Sequence, residues 1–226
     1  TLVVVGDVDI EEALGHIEKN FGSIPPKHFV NTNPGAQPER RLEQIRVTRS
    51  SALTRVLIAI PAPPVSSAEL AHMQLVDRIL SEGKLSRLYV RMVEDEQLAS
   101  LATTEIEETT DPYHLFDRLE LEKGVKPDLA IRSVFEELET LCKTAPDEPE
   151  LRKAKNQCVS HFLNDLETTF DQGFQLGLWD TLFRWEGLNE YIEGLEAASA
   201  SQIQETAAKY CDPNQATVCV TTPDSN

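Results

Sequence analysis

An α+β fold, a mainly antiparallel sheet with helices packed on one face, is predicted by three features of the sequence. Alternating and β-branched runs cluster before Leu121, amphipathic runs dominate after Pro127, and Gly, Pro, Asn or Asp punctuates the joints between them. Helices that follow the strands bury their apolar stripes most simply against a single surface of the sheet.

The first run, Leu2-Val3-Val4-Val5, reads as a strand that ends at Gly6. Asp7 or Asp9 can cap a helix in which Ile10, Ala13, Leu14, Ile17 and Phe21 recur at helical intervals, with Gly22 as its stop. Residues 23–40 hold Pro25, Pro26, Pro34, Gly35 and Pro38 among polar neighbours and read as a linker. Strands are expected over Leu42–Arg49 and Leu53–Ile60, the second ended by Pro61-Ala62-Pro63-Pro64. Ser66 and Glu69 have capping-box spacing ahead of a helix with Leu70, Met73, Val76, Ile79 and Leu80 on one face. After Gly83 come a shorter helix over residues 84–93 and strands Leu98–Glu107 and Tyr113–Leu121, separated by the turn Thr110-Asp111-Pro112.

Amphipathic helices are then expected over Pro127–Cys142 and Pro149–Phe170, with further helix around Phe174–Phe183, Leu188–Leu195 and Ser201–Tyr210. A last strand, Thr217–Thr221, closes the chain. The aromatics Phe170, Phe174, Trp179, Phe183 and Trp185 read first as core packing; an exposed member would meet a partner domain or a substrate side chain. One echo bears on organisation: Thr1-Leu-Val-Val-Val-Gly-Asp resembles Ala216-Thr-Val-Cys-Val-Thr-Thr-Pro-Asp, which closes a domain. A chain that opens at Thr1 directly on a strand, without a signal-peptide core, reads as cut from something longer.

Composition narrows the function. Thirty-eight acidic against 21 basic residues give a formal net charge of -17, which repels phosphate backbones and anionic lipid, so no nucleic-acid partner is expected. The longest apolar stretches, such as Val56–Ile60, are far short of the roughly 20 residues a membrane-spanning helix needs. Cys142, Cys158, Cys211 and Cys219 lack CxxC spacing, so neither a zinc ribbon nor a disulfide framework is indicated, and periplasm and cytoplasm both stay open.

Hydrolytic chemistry finds no foothold. His16, His28, His72, His114 and His161 never pair at the three- or four-residue spacing that sets two imidazoles on one zinc. Glu12 and His16, one helical turn apart, read as an exposed ion pair. Cys158, His161 and Asp165 share one side of a helix, but the thiol belongs to the apolar stripe and no fourth ligand is near. There is no G-x-S-x-G elbow, no Cys-His signature and no G-x-x-x-x-G-K-[ST] loop. Neither a catalytic residue nor a metal ligand is assigned to this chain.

Several segments, in order, resemble one family. Thr1-Leu-Val-Val-Val-Gly-Asp-Val-Asp, a helix and Asn20-Phe-Gly-Ser-Ile-Pro25 are similar to the close of the first domain of M16 (insulinase, pitrilysin and mitochondrial processing peptidase-like) peptidases. Gly83-Lys-Leu-Ser-Arg-Leu-Tyr89, Glu94-Asp-Glu-Gln-Leu98-Ala99 and Asp111-Pro-Tyr-His-Leu-Phe116 resemble its S-R-L-[YF] helix, Q-L-A strand entry and D-P-x-x-F strand. The resemblance implies a LuxS/MPP-like metallohydrolase fold. It divides the chain into a tail of the preceding domain (1–22), a linker (23–40) and a non-catalytic, non-zinc M16 domain (41–226). It further implies a partner domain or subunit with an H-x-x-E-H helix that holds zinc and cleaves peptides, while this chain closes the chamber, touches peptide substrate and is inactive alone. The alternative it leaves is an assembly subunit of the same fold with no peptidase role.

Within that picture the strand Tyr113–Leu121 matters most. Its alternation sends His114, Phe116, Arg118 and Glu120 to one face and Leu115, Leu119 and Leu121 to the other, which helices should cover. The resemblance implies an Arg and a Tyr reaching toward bound peptide, and the candidates are Arg87 with Tyr89 or Arg118 with Tyr113. A guanidinium can hold a substrate carbonyl or carboxylate, and a phenol can donate to an oxyanion. Acidic residues lining a chamber would favour basic peptides.

Overall fold

Hydrophobic alternation builds the sheet. In Arg55–Ala62 (β2), Val56, Ile58, Ile60 and Ala62 are buried while the intervening residues are not, and Tyr113–Leu121 (β4) buries Leu115, Leu119 and Leu121 the same way. These strands pair antiparallel, Ile58 opposite Asp117. Ala99–Ile106 (β3) adds antiparallel to the outer side of β4, with an irregularity between Ala99 and Leu101. Thr217–Pro223 (β5) pairs antiparallel with β2, and Glu43–Arg49 (β1) lies parallel to β5. The five-stranded order is therefore β1-β5-β2-β4-β3. In this computed structural model the described residues are 1–25, 42–49 and 52–224; residues 26–40 of the expected linker, with His28, lie outside them.

The helices are Ile10–Phe21 (α1), Glu69–Ser81 (α2), Pro127–Lys143 (α3), Glu148–Asn164 (α4), Thr169–Leu182 (α5), Gly187–Ala197 (α6) and Ala200–Tyr210 (α7). Asp9 caps α1 by accepting from Glu12 N–H, and Gly22 ends it. Helix α2 is the central one: nine of its residues, from Leu70 to Leu80, are buried between the sheet and the other helices. It meets α6 so closely that a Cβ on Gly194 would lie 3.2 Å from the Ala71 methyl. The core is one continuous cluster of Val56, Ile58, Ile60, Leu75, Leu80, Leu115, Leu119, Val134, Leu138, Ile203 and their neighbours.

Four expectations change. The run Leu2–Val5 forms no strand: it pairs in none of the ladders among the described residues. Ser66 and Glu69 form no capping box: α2 has no side-chain cap, and the Glu69 carboxylate is instead taken by Lys209 Nζ at 2.6 Å and the Tyr210 hydroxyl at 2.7 Å. The short helix after Gly83 becomes a wide π-helical turn, Tyr89–Asp95, in which Glu96 N–H donates to Arg91 O five residues back. The helix expected over Pro149–Phe170 ends at Asn164, because Thr168 and Asp171 cap each other's backbone and start α5 afresh.

Candidate functional site

Among the described residues the helices cover one face of the sheet and leave the other open. Register places three rows of side chains across it: Ile45, Cys219, Leu57, Arg118 and Thr103; Glu43, Thr217, Ala59, Phe116 and Glu105; Val47, Thr221, Arg55, Glu120 and Leu101. The middle of the face is small or apolar and half-buried, whereas its margins carry charge. Arg118 Nη2 holds Glu105 Oε2 at 2.7 Å, and Arg55 Nε donates to Glu120 Oε1 at 2.8 Å. At the start of β4 the rings of Tyr113, His114 and Phe116 stand 5.6 Å from one another, two of the three contacts edge-on. Such a face can bury an extended peptide or a protein surface: the centre supplies apolar area, and the paired charges supply donors and acceptors without leaving an unpaired charge.

The six residues marked in the sequence fall into two groups. Tyr113, His114, Arg118 and Glu120 come together on β4, with Phe116 among them. Arg87 is committed elsewhere: its Nε and Nη2 grip both oxygens of Glu150 at 2.7 and 2.8 Å, and its Nη1 lies 3.5 Å from Glu137. Hydrogen bonding to Glu150 holds this guanidinium still more firmly charged than usual. The residue therefore ties the turn before Tyr89 to α3 and α4, inside the helical layer. Tyr89, half-buried, begins the π-helical turn.

Two acidic positions went unmarked by sequence reasoning. Asp117 lies on the leucine face of β4, fully buried, and neither carboxylate oxygen has a hydrogen-bond partner. Burial, and then the nearby Asp77, push its pKa well above the usual carboxylate range. Asp77, on α2, is also raised by burial, although its Oδ1 accepts from Thr104 Oγ1 at 2.5 Å. The signal for Asp117 was the alternation itself, which puts a polar residue where Leu115 and Leu119 predict an apolar one.

Beside Asp77 a cleft of about 250 Å³ opens between α2, β3, α4, α5 and α6, lined by Asp77, Arg78, Glu105, Glu108, His161 and Asp165 among others. Burial raises Glu108, which accepts from Gln74 Nε2 at 3.0 Å. Cys158, pushed up to about 11 by burial, is an inert core thiol there rather than a ligand. His161 Nδ1 meets Asp165 Oδ2 at 3.3 Å on the exposed side, and His16 meets Glu12 at 3.6 Å, the surface pair the spacing suggests. Among the described residues no group of three or more His, Cys, Asp or Glu side chains is arranged to hold a metal, so the donor set does not fit zinc.

A family model for the peptidase M16 inactive domain matches residues 1–158. This chain belongs to that family. The M16 domain is similar to the zinc protease PqqE of Helicobacter pylori, 22% identical over 98% of this chain and 51% of that protein. Its fold matches the crystal structure of a protease from Helicobacter pylori at 21% identity and a TM-score of 0.86, covering 97% of this chain and 54% of the other. A peptidase M16 inactive domain from Pseudomonas fluorescens superposes with a TM-score of 0.70 at 17% identity, over 84% of this chain and 46% of that one. The chain thus spans about half the length of these three relatives. The open sheet backed by helices is the M16 inactive-domain fold, as the sequence predicts.

Proposed function

We propose that this inactive M16 domain forms one wall of a peptidase chamber and contacts peptide substrate through its open sheet face, while a partner domain or subunit with an H-x-x-E-H helix supplies zinc and cleavage. The observation that carries this reading is the sheet face on which no helix packs among the described residues, where His114, Arg118 and Glu120 surround an apolar centre of Leu57, Ala59 and Phe116 and the Tyr113 ring meets that of Phe116 at the end of β4. Residues 1–22 are read as the tail of the preceding domain, residues 23–40 as a linker and residues 41–226 as the inactive domain proper. Zinc bound in the partner would activate water for attack; this wall orients the peptide and excludes bulk water. With Glu105 and Glu120 matched by Arg118 and Arg55, Glu43 leaves the face slightly acidic, which favours a basic peptide over an acidic one.

The test joins this domain to its zinc-bearing half and measures chelator-sensitive peptide cleavage. Phe116→Glu, which puts charge into the apolar centre, should lower kcat/KM by about tenfold or more, mostly through KM, with the fold intact by circular dichroism. This chain alone should cleave nothing and take up no catalytic zinc. Unchanged kinetics for Phe116→Glu would remove the substrate-contact role. A native assembly with no zinc-bearing M16 partner would point instead to an assembly subunit.

A further inference from the structure

The cleft beside Asp77 lies within the helical layer, across the sheet from the open face, and the proposed chamber wall makes no use of it. Gln74 and Asp77, three residues apart on α2, reach it together because that spacing puts them on one side of the helix. Both are buried, 6% and 5% exposed, and each keeps one oxygen free of hydrogen bonds among the described residues. Gln74 spends its Nε2 on Glu108 at 3.0 Å, which leaves Oε1; Asp77 spends Oδ1 on Thr104 at 2.5 Å, which leaves Oδ2. Arg78 Nε stops 4.0 Å short of Asp77 Oδ2, and its Nη1 is taken by Glu82 at 2.8 Å. The Tyr191 hydroxyl, also on the cleft, has no hydrogen-bond partner among the described residues, and burial pushes its pKa well above the usual phenol range. Polar atoms buried this deeply are ordinarily paired, so the cluster is built to receive hydrogen bonds from something that enters.

Charge and shape say what can enter. Asp77, Glu108 and Asp165 line the cleft against the single guanidinium of Arg78, which Glu82 already shares. Burial raises Asp77 and Glu108, and Asp165 adds to the rise of Glu108, so a positive charge brought between them is favoured. Aromatic rings form the opposite kind of lining: Trp179 and Tyr191 stand 5.4 Å apart at 42°, with Phe162 and Ile106 also on the cleft. Ring faces attract cations and cover hydrocarbon equally well. A metal ion would leave that apolar area unused, and among the described residues no group of three or more His, Cys, Asp or Glu side chains is set to hold one. A volume of about 250 Å³ admits a head group with a few carbon atoms, not a folded segment.

We propose that this cleft binds a small organic cation, an ammonium or guanidinium head on a short alkyl stem. The head donates to Asp77 Oδ2, Gln74 Oε1 and Glu108, and the stem lies against Trp179, Tyr191 and Phe162. A planar guanidinium, with five N–H donors, suits this set of acceptors better than an ammonium with three. A free amine and the lysine or arginine side chain of a protein segment carry the same chemistry.

The test is isothermal titration of the full-length protein with 4-aminobutylguanidine, 1,4-diaminobutane, N-acetylarginine methylamide and magnesium chloride. The organic cations should saturate one site per chain, the guanidines more tightly than the diamine, and magnesium should not displace them. Glu108→Gln and Asp77→Asn keep side-chain shape and should each weaken binding by about tenfold or more, with the fold checked by circular dichroism. Glu12→Gln, an exposed acid on α1, and Phe116→Glu, on the open face, should leave it unchanged. Tighter binding of the blocked arginine than of the free amines would assign the cleft to a protein side chain, and the reverse order to a free amine; both sustain the proposal. It is overturned if no organic cation saturates, if magnesium competes on equal terms, or if Phe116→Glu abolishes binding while Glu108→Gln does not. The last result would move the cation to the open face and leave the substrate-contact reading standing.

Discussion

The two faces of one sheet contrast sharply. On the covered face, Val56, Ile58, Ile60, Leu115, Leu119, Leu121, Val218 and Val220 meet α2, α3 and α7, and the only charged side chain on β4 there is Asp117. On the open face the same strands carry Arg55, Arg118, Glu105 and Glu120 in cross-strand ion pairs around Leu57, Ala59 and Phe116. The backbone treats both faces alike. The difference lies in the alternation of side chains, which spends one set of residues on stability and leaves the other set available for a partner.

That contrast can be broken by substitution. Leu119→Ala removes methyl groups from a site with no exposure and should cost about 2–5 kcal/mol in urea unfolding. Leu57→Ala, half-buried on the opposite face, should cost less than about 1.5 kcal/mol, because one side of the leucine already meets solvent. Equal costs would mean that the open face is as much a core as the other. Next in size is Arg87→Met, which leaves Glu150 and Glu137 facing each other in a half-desolvated site; a loss of roughly 1–3 kcal/mol is expected. Lys at this position should not restore it, since an ammonium cannot make the two-pronged contact with Glu150. A loss of peptide affinity with no loss of stability would move Arg87 from the helical layer's support to the substrate.

Much of this was legible in the sequence where period and punctuation agree. Strand β4 runs over Tyr113–Leu121 as the alternation and the turn Thr110-Asp111-Pro112 set it, and α1 starts and stops at Asp9 and Gly22. What stayed hidden depends on partners far along the chain. The apolar stripe of α4 continues through Leu166 and Phe170, so periodicity alone carries the helix past its true end, while Thr168 and Asp171 held the stop signal. Of the five clustered aromatics only Trp179 is core; Phe170, Phe174, Phe183 and Trp185 are exposed, because spacing shows a stripe but not what covers it. Tyr113 and His114 could be placed on β4, but their ring contacts with Phe116 could not. The cleft beside Asp77 stayed hidden because it needs five elements brought together.

Asp117 probes the covered face more finely. Its folded pKa is raised by burial, so the stability tied to its proton is complete below the unfolded value, about 3.9, and is lost as pH climbs toward the folded value. Each unit of that rise is worth about 1.4 kcal/mol. Asp117→Asn keeps the shape and removes the proton, so stability between pH 4 and 8 should decline less steeply with pH than in the unaltered chain. Asp77, raised in the same direction by burial, itself adds to the Asp117 shift, so the difference in slope reports the coupled pair rather than Asp117 alone. Identical slopes would show that the Asp117 carboxyl finds a partner or water on ionising.

The smallest effect belongs to the open face and sharpens the comparison from its other side. Arg118 and Glu105 pair at 2.7 Å, but both side chains are about half exposed, so solvent screens the attraction and ordering two long chains offsets most of what remains. A double-mutant cycle of Arg118→Ala and Glu105→Ala in this chain should return a coupling below about 1 kcal/mol that shrinks further in high salt. In the assembled chamber the same pair would be desolvated by the facing half and the peptide, and its coupling should grow and lose its salt dependence. A coupling that stays small and salt-sensitive after assembly would mean that this face still meets water, and the wall it is proposed to form would have to be sought on another surface.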